Sequence, residues 1–344
     1  MKKIVFTGGG TLGHVMPNLY LMEELKNDYN CFYIGGAGAE KEKVKKVTKN
    51  YHEIPTVKLV RGKIWKNLKI PFVLFSAIQQ AKKILKEMKP NVVFSKGGYV
   101  ALPVCVAAKM LKIPIIAHES DSSFGLANKL ILKLCNTMCV NFKSLESKDK
   151  KIVYTGPIFS KEFDNTKTNS LNLNLDKSKR TILIVGGSLG SQNINANIFA
   201  ILKDLLKDFN IIHITGKGNQ KIKSYDNYNS FEMVEDIVKL YNIADFVIGR
   251  SGAGVTAECF YKQLPMLLIP LQNKATRGDQ VLNAKYYQNL GVAEIVYENN
   301  LTPTNLFNEI NKINFNLDKY KNKYKSMNII NGKEKIIEII KKTL

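Results

Sequence analysis

Two short glycine-rich turns, each leaving an apolar run and entering a helical pattern, constrain this chain more than any other feature. The first follows Lys3-Ile4-Val5-Phe6-Thr7 and reads Gly8-Gly9-Gly10-Thr11-Leu12-Gly13-His14. The second follows Ile182-Leu183-Ile184-Val185 and reads Gly186-Gly187-Ser188-Leu189-Gly190-Ser191. Glycine lets a backbone approach a ligand closely, and the helix start behind it offers unpaired N–H groups and positive dipole charge. One such turn is weak evidence. Two, half a chain apart, predict an α/β chain with two Rossmann-like, nucleotide-type domains facing each other across a cleft.

The hydrophobic pattern between the turns agrees. Strand-like runs at residues 3–7, 31–34, 92–95, 113–117 and 152–154 alternate with helical patterns at 19–26, 77–88, 102–111 and 126–134. Such alternation implies a mostly parallel sheet with helices on both faces. A polar stretch at 161–179 reads as a linker. Strand-like runs then resume at 181–185, 211–215, 246–248, 266–269 and 293–296. The predicted domains are 1–160 and 161–332. A last helical pattern at 333–344, carrying Ile336, Ile337, Ile339 and Ile340, is free to pack back on the first domain.

Length supports this division, since 344 residues suit two cores better than one. No run approaches the ~20 apolar residues that cross a bilayer. The N-terminus enters a strand without a secretory signal, so a cytoplasmic chain is expected. The five cysteines, Cys31, Cys105, Cys135, Cys139 and Cys259, lie mostly in apolar segments and read as buried, reduced thiols. Cys135 and Cys139 lack the spacing and histidine neighbours of a zinc site, and no metal site is expected. Net charge is +22. Lysine supplies nearly all of it, because the only arginines are Arg61, Arg180, Arg250 and Arg277. Biased composition explains such a balance, as does a phosphate-rich ligand or an anionic membrane surface. No nucleic-acid partner is expected, since the chain shows no recognisable module and no aromatic–basic interleaving.

Several clusters could carry chemistry. Pro17 suits the first turn of the helix behind the first glycine turn. His14, at that turn's exit, either accepts a proton near neutral pH or caps the turn structurally. The spacing departs from a G-x-G-x-x-G fingerprint, and no acidic residue sits cleanly at the end of the 31–34 strand. A nicotinamide enzyme is therefore disfavoured. Ser188 adds a hydroxyl to the second turn's amides, which suits a diphosphate, although a tight strand-to-helix turn explains it too. The second turn is not a Walker loop, for no Gly-Lys-Ser/Thr follows.

Arg250-Ser251-Gly252-Ala253 leads into a helix carrying Glu258, which could accept both hydroxyls of a ribose or be an ordinary surface glutamate. Arg277-Gly278-Asp279-Gln280, followed by Asn283, precedes another helix, and Gln280 offers both donor and acceptor to sugar hydroxyls. Ser95-Lys96-Gly97-Gly98-Tyr99 again leaves a strand, and its amides could receive an anionic group of a second substrate. His118-Glu119-Ser120-Asp121 ends a strand, with Asn128 downstream on a helix. Finally, residues 59–75 mix basic residues with the only tryptophan, Trp65, and with Phe72 and Phe75. That mixture fits shallow insertion beside anionic head groups, or a core helix with a solvated lysine fringe.

Jointly these motifs resemble the MurG family, the UDP-N-acetylglucosamine transferases of peptidoglycan lipid-intermediate synthesis. The resemblance runs nearly end to end. It rests on the Gly-Gly-Thr-x-Gly-His-x-x-Pro turn at 9–17, Gly97-Gly98-Tyr99, His118-Glu119, Gly186-Gly187-Ser188-Leu189-Gly190, Arg250-Ser251-Gly252-Ala253, and Gln280 with Asn283. It implies the glycosyltransferase B fold. The implied activity is inverting transfer of N-acetylglucosamine from UDP-GlcNAc to the C4 hydroxyl of the muramyl sugar in lipid I, giving lipid II. UDP-GlcNAc is then a substrate, and no cofactor is implied.

By this resemblance His14 is the base. Ser188, Leu189, Gly190 and the neighbouring amides hold the diphosphate, and Glu258 holds the uridine ribose. Thr11, Gly13, Asn128, Arg250, Ser251, Gly252, Asp279 and Gln280 complete the donor site. Gly97, Gly98, Tyr99, His118 and Glu119 meet the acceptor. The first domain carries the membrane and lipid I surface, with Trp65, Phe72 and Phe75 as contacts, on the cytoplasmic face of the membrane.

Two departures stand out. Leu12 replaces a usual glycine of the family turn. Pro157-Ile158-Phe159-Ser160 stands where the family commonly places a segment ending in arginine, and Lys161 is not an equivalent fork donor. The second departure motivates an alternative, transfer to another lipid such as diacylglycerol or use of another UDP-sugar; a catalytically silent sugar-nucleotide-binding or scaffold protein is a separate one.

Overall fold

The structure is a computed structural model. It describes all residues except 39, 58–63, 166–172, 188–189, 221–225 and 273–277, and leaves the side chains of residues 12, 64 and 66 undescribed. The chain divides into two compact units, residues 1–160 with 330–344, and residues 161–329.

In the first unit the elements follow in order as β1 (Lys3–Thr7), α1 (Met16–Leu25), β2 (Asn30–Gly35), α2 (Glu40–Lys45), β3 (Tyr51–Glu53), α3 (Ile70–Met88), β4 (Val92–Ser95), α4 (Ala101–Met110), β5 (Ile115–Glu119), α5 (Leu126–Leu134), β6 (Thr137–Val140) and β7 (Ile152–Tyr154). The seven strands form one sheet in the order β3-β2-β1-β4-β5-β6-β7, and every pairing is parallel. Period-two alternation sends neighbouring residues to opposite faces. Val5, Val93, Ile115, Ala117 and Met138 pack with Ala77, Ala81, Val104 and Ile131 of α3, α4 and α5. Ile4, Phe6, Phe94, Ile116 and Cys139 face the other way, onto Leu21, Met22 and Leu25 of α1.

That second face is completed from the far end of the chain. Ile336 and Ile340 belong to the helix Lys333–Thr343 and are fully buried there. The segment Pro157–Ser160 secures the return: the Pro157 carbonyl accepts from the Gly332 N–H, and the Phe159 N–H donates to Asn331 Oδ1.

The second unit contains β8 (Arg180–Val185), α6 (Gln192–Asp208), β9 (Phe209–Ile214), β10 (Tyr228–Phe231), α7 (Ile237–Tyr241), β11 (Phe246–Gly249), α8 (Ala253–Tyr261), β12 (Met266–Leu268), α9 (Asp279–Asn289), β13 (Ala293–Ile295), α10 (Pro303–Phe315) and α11 (Leu317–Lys325). The terminal helix Lys333–Thr343 is α12. The sheet runs β10-β9-β8-β11-β12-β13, again all parallel. In both sheets the order reverses beside the strand that precedes a glycine turn, between β1 and β4 and between β8 and β11. Ligands of open α/β sheets bind at the carboxyl ends of strands at such reversals.

Three strands escape the sequence pattern. β3, β6 and β10 are three or four residues long, and two of them are sheet edges carrying polar residues. β5 starts two residues later than expected. Ile113 and Pro114 are spent leaving α4, and Lys112 adopts a left-handed conformation with φ 58°. His118 and Glu119 thus become the strand's last two residues. Helix α3 starts seven residues earlier than expected, with Pro71 in its first turn. Of the expected linker, 166–172 lies outside the described residues. Asn174 beyond it is tied to Asn229 and Asp226, and the Asp176 N–H to Asn210. No described helix is long and apolar enough to cross a membrane.

Candidate active site

In the first unit the polar groups gather at the carboxyl edge of β1, β4 and β5. The Thr7 carbonyl, last in β1, accepts from the Asn18 amide at 3.1 Å and from the Lys96 N–H at 2.8 Å. Tyr33 donates to the Gly8 carbonyl at 2.8 Å. These bonds fix where the glycine turn leaves the sheet. Leu12 opens a short 3-10 turn that ends at His14. His14 Nδ1 lies 3.2 Å from the Gly9 carbonyl and 3.2 Å from Thr11 Oγ1. A proton on Nδ1 satisfies the carbonyl and places the ring's lone pair on Nε2. Thr11 and Gly13 are exposed on the same turn.

The turn after β4 meets the first one closely. Gly98 has φ 83°, and a Cβ there would lie 3.0 Å from the Gly9 carbonyl oxygen and 3.2 Å from His14 Nδ1. Gly97 faces the Asn128 amide, where a Cβ would collide. Tyr99 lies over Gly10. The structure thus brings His14, Gly97, Gly98, Tyr99 and Asn128 together.

Glu119 is buried, and its own loop engages both carboxylate oxygens. Oε1 accepts from the Ser120 and Asp121 N–H groups at 2.8 and 3.0 Å. Oε2 accepts from the Gly125 N–H and the Asn128 amide at 3.0 and 2.9 Å. Its role in the fold is to position Asn128 and the 120–125 loop. His118 beside it is fully buried. The Asn141 amide and the Gly156 backbone face its ring, but neither completes a hydrogen bond. Burial first, then the Lys96 charge, holds its pKa well below the ordinary imidazole range, so it is neutral near pH 7.

Lys96 went unremarked as a candidate in the sequence. Its side chain is fully buried and bonds Ser120 Oγ. Burial lowers its pKa to about 8, against the opposing pull of Glu119 and Asp121.

In the second unit the turn after β8 leads into α6. Ser188 and Leu189 lie outside the described residues. Gly190 donates to the Gly187 carbonyl at 3.0 Å, and Ser191 caps α6 by accepting from the Ile194 N–H. Behind the turn, His213 sits between Asn195 Oδ1 and the Tyr228 hydroxyl, and burial lowers its pKa to about 4. A neutral imidazole there donates through Nε2 and accepts at Nδ1, fixing α6 to β9 and β10.

Arg250 ties the adjacent loops together. One guanidinium nitrogen donates to the Ile269 carbonyl at 3.1 Å; the other reaches Ser191 Oγ at 2.9 Å and Glu298. Arg250 therefore acts in the fold as a brace for the turn. An Arg250→Lys enzyme keeps the charge but cannot span three acceptors. Its thermal unfolding should show a loss of about 2 kcal/mol, and a stability within error of wild type would remove the bracing role.

Ser251 Oγ donates to the Gln280 carbonyl at 2.7 Å, and the Asn283 amide donates to the Ser251 carbonyl at 3.2 Å. Gln280 Oε1 accepts from the Leu271 N–H at 2.9 Å. Gly252 and Asp279 stand at the starts of α8 and α9. Arg277 lies outside the described residues. Glu258, on α8, accepts the Tyr241 hydroxyl on Oε2 at 2.9 Å. Burial raises its pKa above the usual carboxylate range, yet the side chain stays partly reachable and Oε1 has no partner among the described residues.

On the first unit's surface, Trp65, Leu68, Phe72 and Phe75 are exposed, at 85%, 58%, 78% and 63%. Residues 58–63 of the basic segment lie outside the described residues. All five cysteines are buried and free. Among the described residues no cluster of His, Cys, Asp and Glu could hold a metal ion.

Comparison with known proteins agrees with this layout. Residues 4–140 match the glycosyltransferase family 28 N-terminal domain, and residues 181–340 match the family's C-terminal domain. A UDP-N-acetylglucosamine–N-acetylmuramyl-(pentapeptide) pyrophosphoryl-undecaprenol N-acetylglucosamine transferase of Clostridium botulinum is 47% identical, covering 99% of this chain and 98% of its own. The Clostridium tetani protein of the same name is 41% identical over 99% and 98%. The crystal structure of Acinetobacter baumannii MurG superposes with a TM-score of 0.80 at 25% identity, covering 99% of this chain and 100% of that one.

Proposed function

This chain belongs to glycosyltransferase family 28, and we propose that it transfers N-acetylglucosamine from UDP-GlcNAc to the muramyl C4 hydroxyl of lipid I, making lipid II. The observation that carries the chemistry is His14, whose ring is held through Nδ1 by the Gly9 carbonyl so that Nε2 bears the lone pair. A single inverting displacement follows. Nε2 takes the acceptor hydroxyl proton as the oxygen forms its bond to the anomeric carbon. The bond from that carbon to the β-phosphate oxygen breaks, and UDP departs with the electron pair. Negative charge grows on the leaving diphosphate, and the amides and dipole at the start of the 17-residue helix α6 stabilise it where it develops. The chain contains no Asp-x-Asp, in keeping with a metal-independent reaction. In this reading Glu258 Oε1 accepts from the uridine ribose and the Gln280 NH2 donates to a sugar hydroxyl; the Tyr241 bond to Oε2 and the Leu271 bond to Gln280 Oε1 support it.

Labelled UDP-GlcNAc, offered with a lipid I analogue or with diacylglycerol in the presence of EDTA, tests the reading. Labelled lipid II is the expected product. Glycolipid formation without lipid II would move the activity to the other lipid. No transfer to either would leave a silent UDP-sugar-binding protein.

Trp65, Leu68, Phe72 and Phe75 give the first unit four exposed apolar side chains within eleven residues, which suit peripheral attachment to the cytoplasmic face of an anionic membrane. Changing Trp65 and Phe72 together to serine should weaken co-sedimentation with anionic vesicles by about 10-fold or more, given the area each ring can bury. Unchanged binding would remove the patch from this role.

A further inference from the structure

A carboxylate that neither the motifs nor the reaction uses lies beneath the first glycine turn. No acidic residue ends β2 in the sequence, but the loop Gly36-Ala37-Gly38 carries the chain to Glu40, whose side chain folds back over the edge of β1 and β2. A Cβ on Gly9 would lie 2.6 Å from Glu40 Oε1, and a Cβ on Gly38 would lie 2.5 Å from Oε2. The residue is only 6% exposed. Among the described residues it has no hydrogen bond and no ion pair. Nearby bases do not answer it: Lys41 pairs with Glu53, and the buried Lys96 turns to Ser120. The Glu40 oxygens are not among the buried side-chain atoms left without a partner, so a carboxylate that no protein donor answers is here still open to a donor arriving with a ligand.

Its surroundings say what kind. Tyr33 is occupied by the Gly8 carbonyl and Tyr51 by the Gly36 carbonyl. Tyr99 lies over Gly10, with its hydroxyl unpartnered among the described residues and the side chain half-buried. The Glu40 charge raises the pKa of that phenol, after burial, but the two do not hydrogen-bond. An acceptor and a hydroxyl therefore lie against neighbouring residues of the glycine turn, Gly9 and Gly10, and the Gly9 carbonyl is 3.2 Å from His14 Nδ1. A negative charge repels a diphosphate, so this position suits a neutral, hydrogen-bond-donating part of a ligand. One carboxylate without further ligands does not make a metal site.

We propose that Glu40 is an acceptor-recognition residue: its carboxylate takes a hydrogen bond from a hydroxyl or amide N–H of the acceptor's sugar–peptide portion as that portion rests on the Gly9–Gly10 turn. This rests on the muramyl lipid being the acceptor. It assigns the neutral part of the acceptor to the β2 side of the turn and its diphosphate away from it.

The test is a kinetic split on the full-length enzyme with UDP-GlcNAc and a lipid I analogue. Glu40→Gln preserves the shape and removes the charge; Glu40→Ala removes the acceptor. Both should lower kcat/KM for the lipid I analogue, by about 10- to 100-fold for a lost charge-assisted hydrogen bond, while UDP-GlcNAc affinity stays within about 2-fold. Analogues lacking one donor at a time, a deoxy sugar or an ester in place of an amide, then identify the partner. One of them should lose activity with wild type and lose nothing further with Glu40→Ala. Equal loss for donor and acceptor with a lowered Tm would make Glu40 a mere anchor of the turn and overturn the proposal. So would an unchanged Glu40→Gln enzyme, or no analogue coupled to residue 40. An active wild type with any of these results removes this inference alone; a wild type that makes no lipid II removes the proposed function with it.

Discussion

Replacing His14 with alanine should lower kcat by about 10²- to 10⁴-fold, the range for losing a positioned general base, while UDP-GlcNAc still binds. The prediction follows from where the ring is held. Its Nδ1 engages the Gly9 carbonyl, so on the proposed reading Nε2 is the working nitrogen. The other groups at the end of β5 are poorly suited. His118 is fully buried and Glu119 spends its oxygens on backbone amides and Asn128. His14→Gln should fall by a similar factor, because an amide can replace the Nδ1 contact but cannot take up the proton. Steady-state transfer kinetics with isothermal titration of UDP check both halves of the claim. A variant retaining more than a tenth of wild-type kcat would take His14 out of the base role.

The second large effect is expected at Gly190. This residue has φ 73°, and a Cβ there would run into the Thr215 carbonyl oxygen at the end of β9. That carbonyl cannot drift away, since it accepts from the Asn195 amide at 2.9 Å, and Asn195 is itself fixed by His213. Gly190→Ala therefore combines left-handed strain with a collision against fixed backbone. It should cost about 2–4 kcal/mol of stability and, on the proposed reading of this turn as the diphosphate site, weaken UDP binding by about 100-fold or more. Gly187→Ala is the control. Gly187 has φ 92°, but no described residue lies within 4 Å of its missing Cβ, so strain alone should cost about 1 kcal/mol. Thermal denaturation and UDP titration of the pair give the comparison, and equal behaviour would show that the collision is irrelevant.

Much of this was legible in the sequence because glycine turns, strand–helix alternation and residue spacing are local signals. The turns at Gly8–His14 and Gly186–Ser191, the strands that feed them and the family they announce needed no tertiary information. What escaped depends on where side chains end up. Arg250 reads in the sequence as a ligand contact, and only the fold shows that it also joins Ser191, Ile269 and Glu298, residues 19 to 59 positions away. Glu119 likewise serves loop amides whose direction only the folded 120–125 segment sets. Lys96 reads as one lysine among many until its burial against Ser120 is seen. Glu40 lies six residues beyond Ile34, the strand end where an acidic residue was sought, and only the folded chain shows its carboxylate against Gly9. The short strand β6 carried too few residues to show a period.

The most direct test is a structure of the enzyme with UDP-GlcNAc bound. The diphosphate should lie on the Gly186–Ser191 amides at the head of α6, the ribose hydroxyls on Glu258, and the sugar within reach of the Gln280 amide, with no metal ion bridging the phosphates. A nucleotide held anywhere else, or a diphosphate clasped by a cation rather than by main-chain N–H groups, would contradict the mechanism at its root.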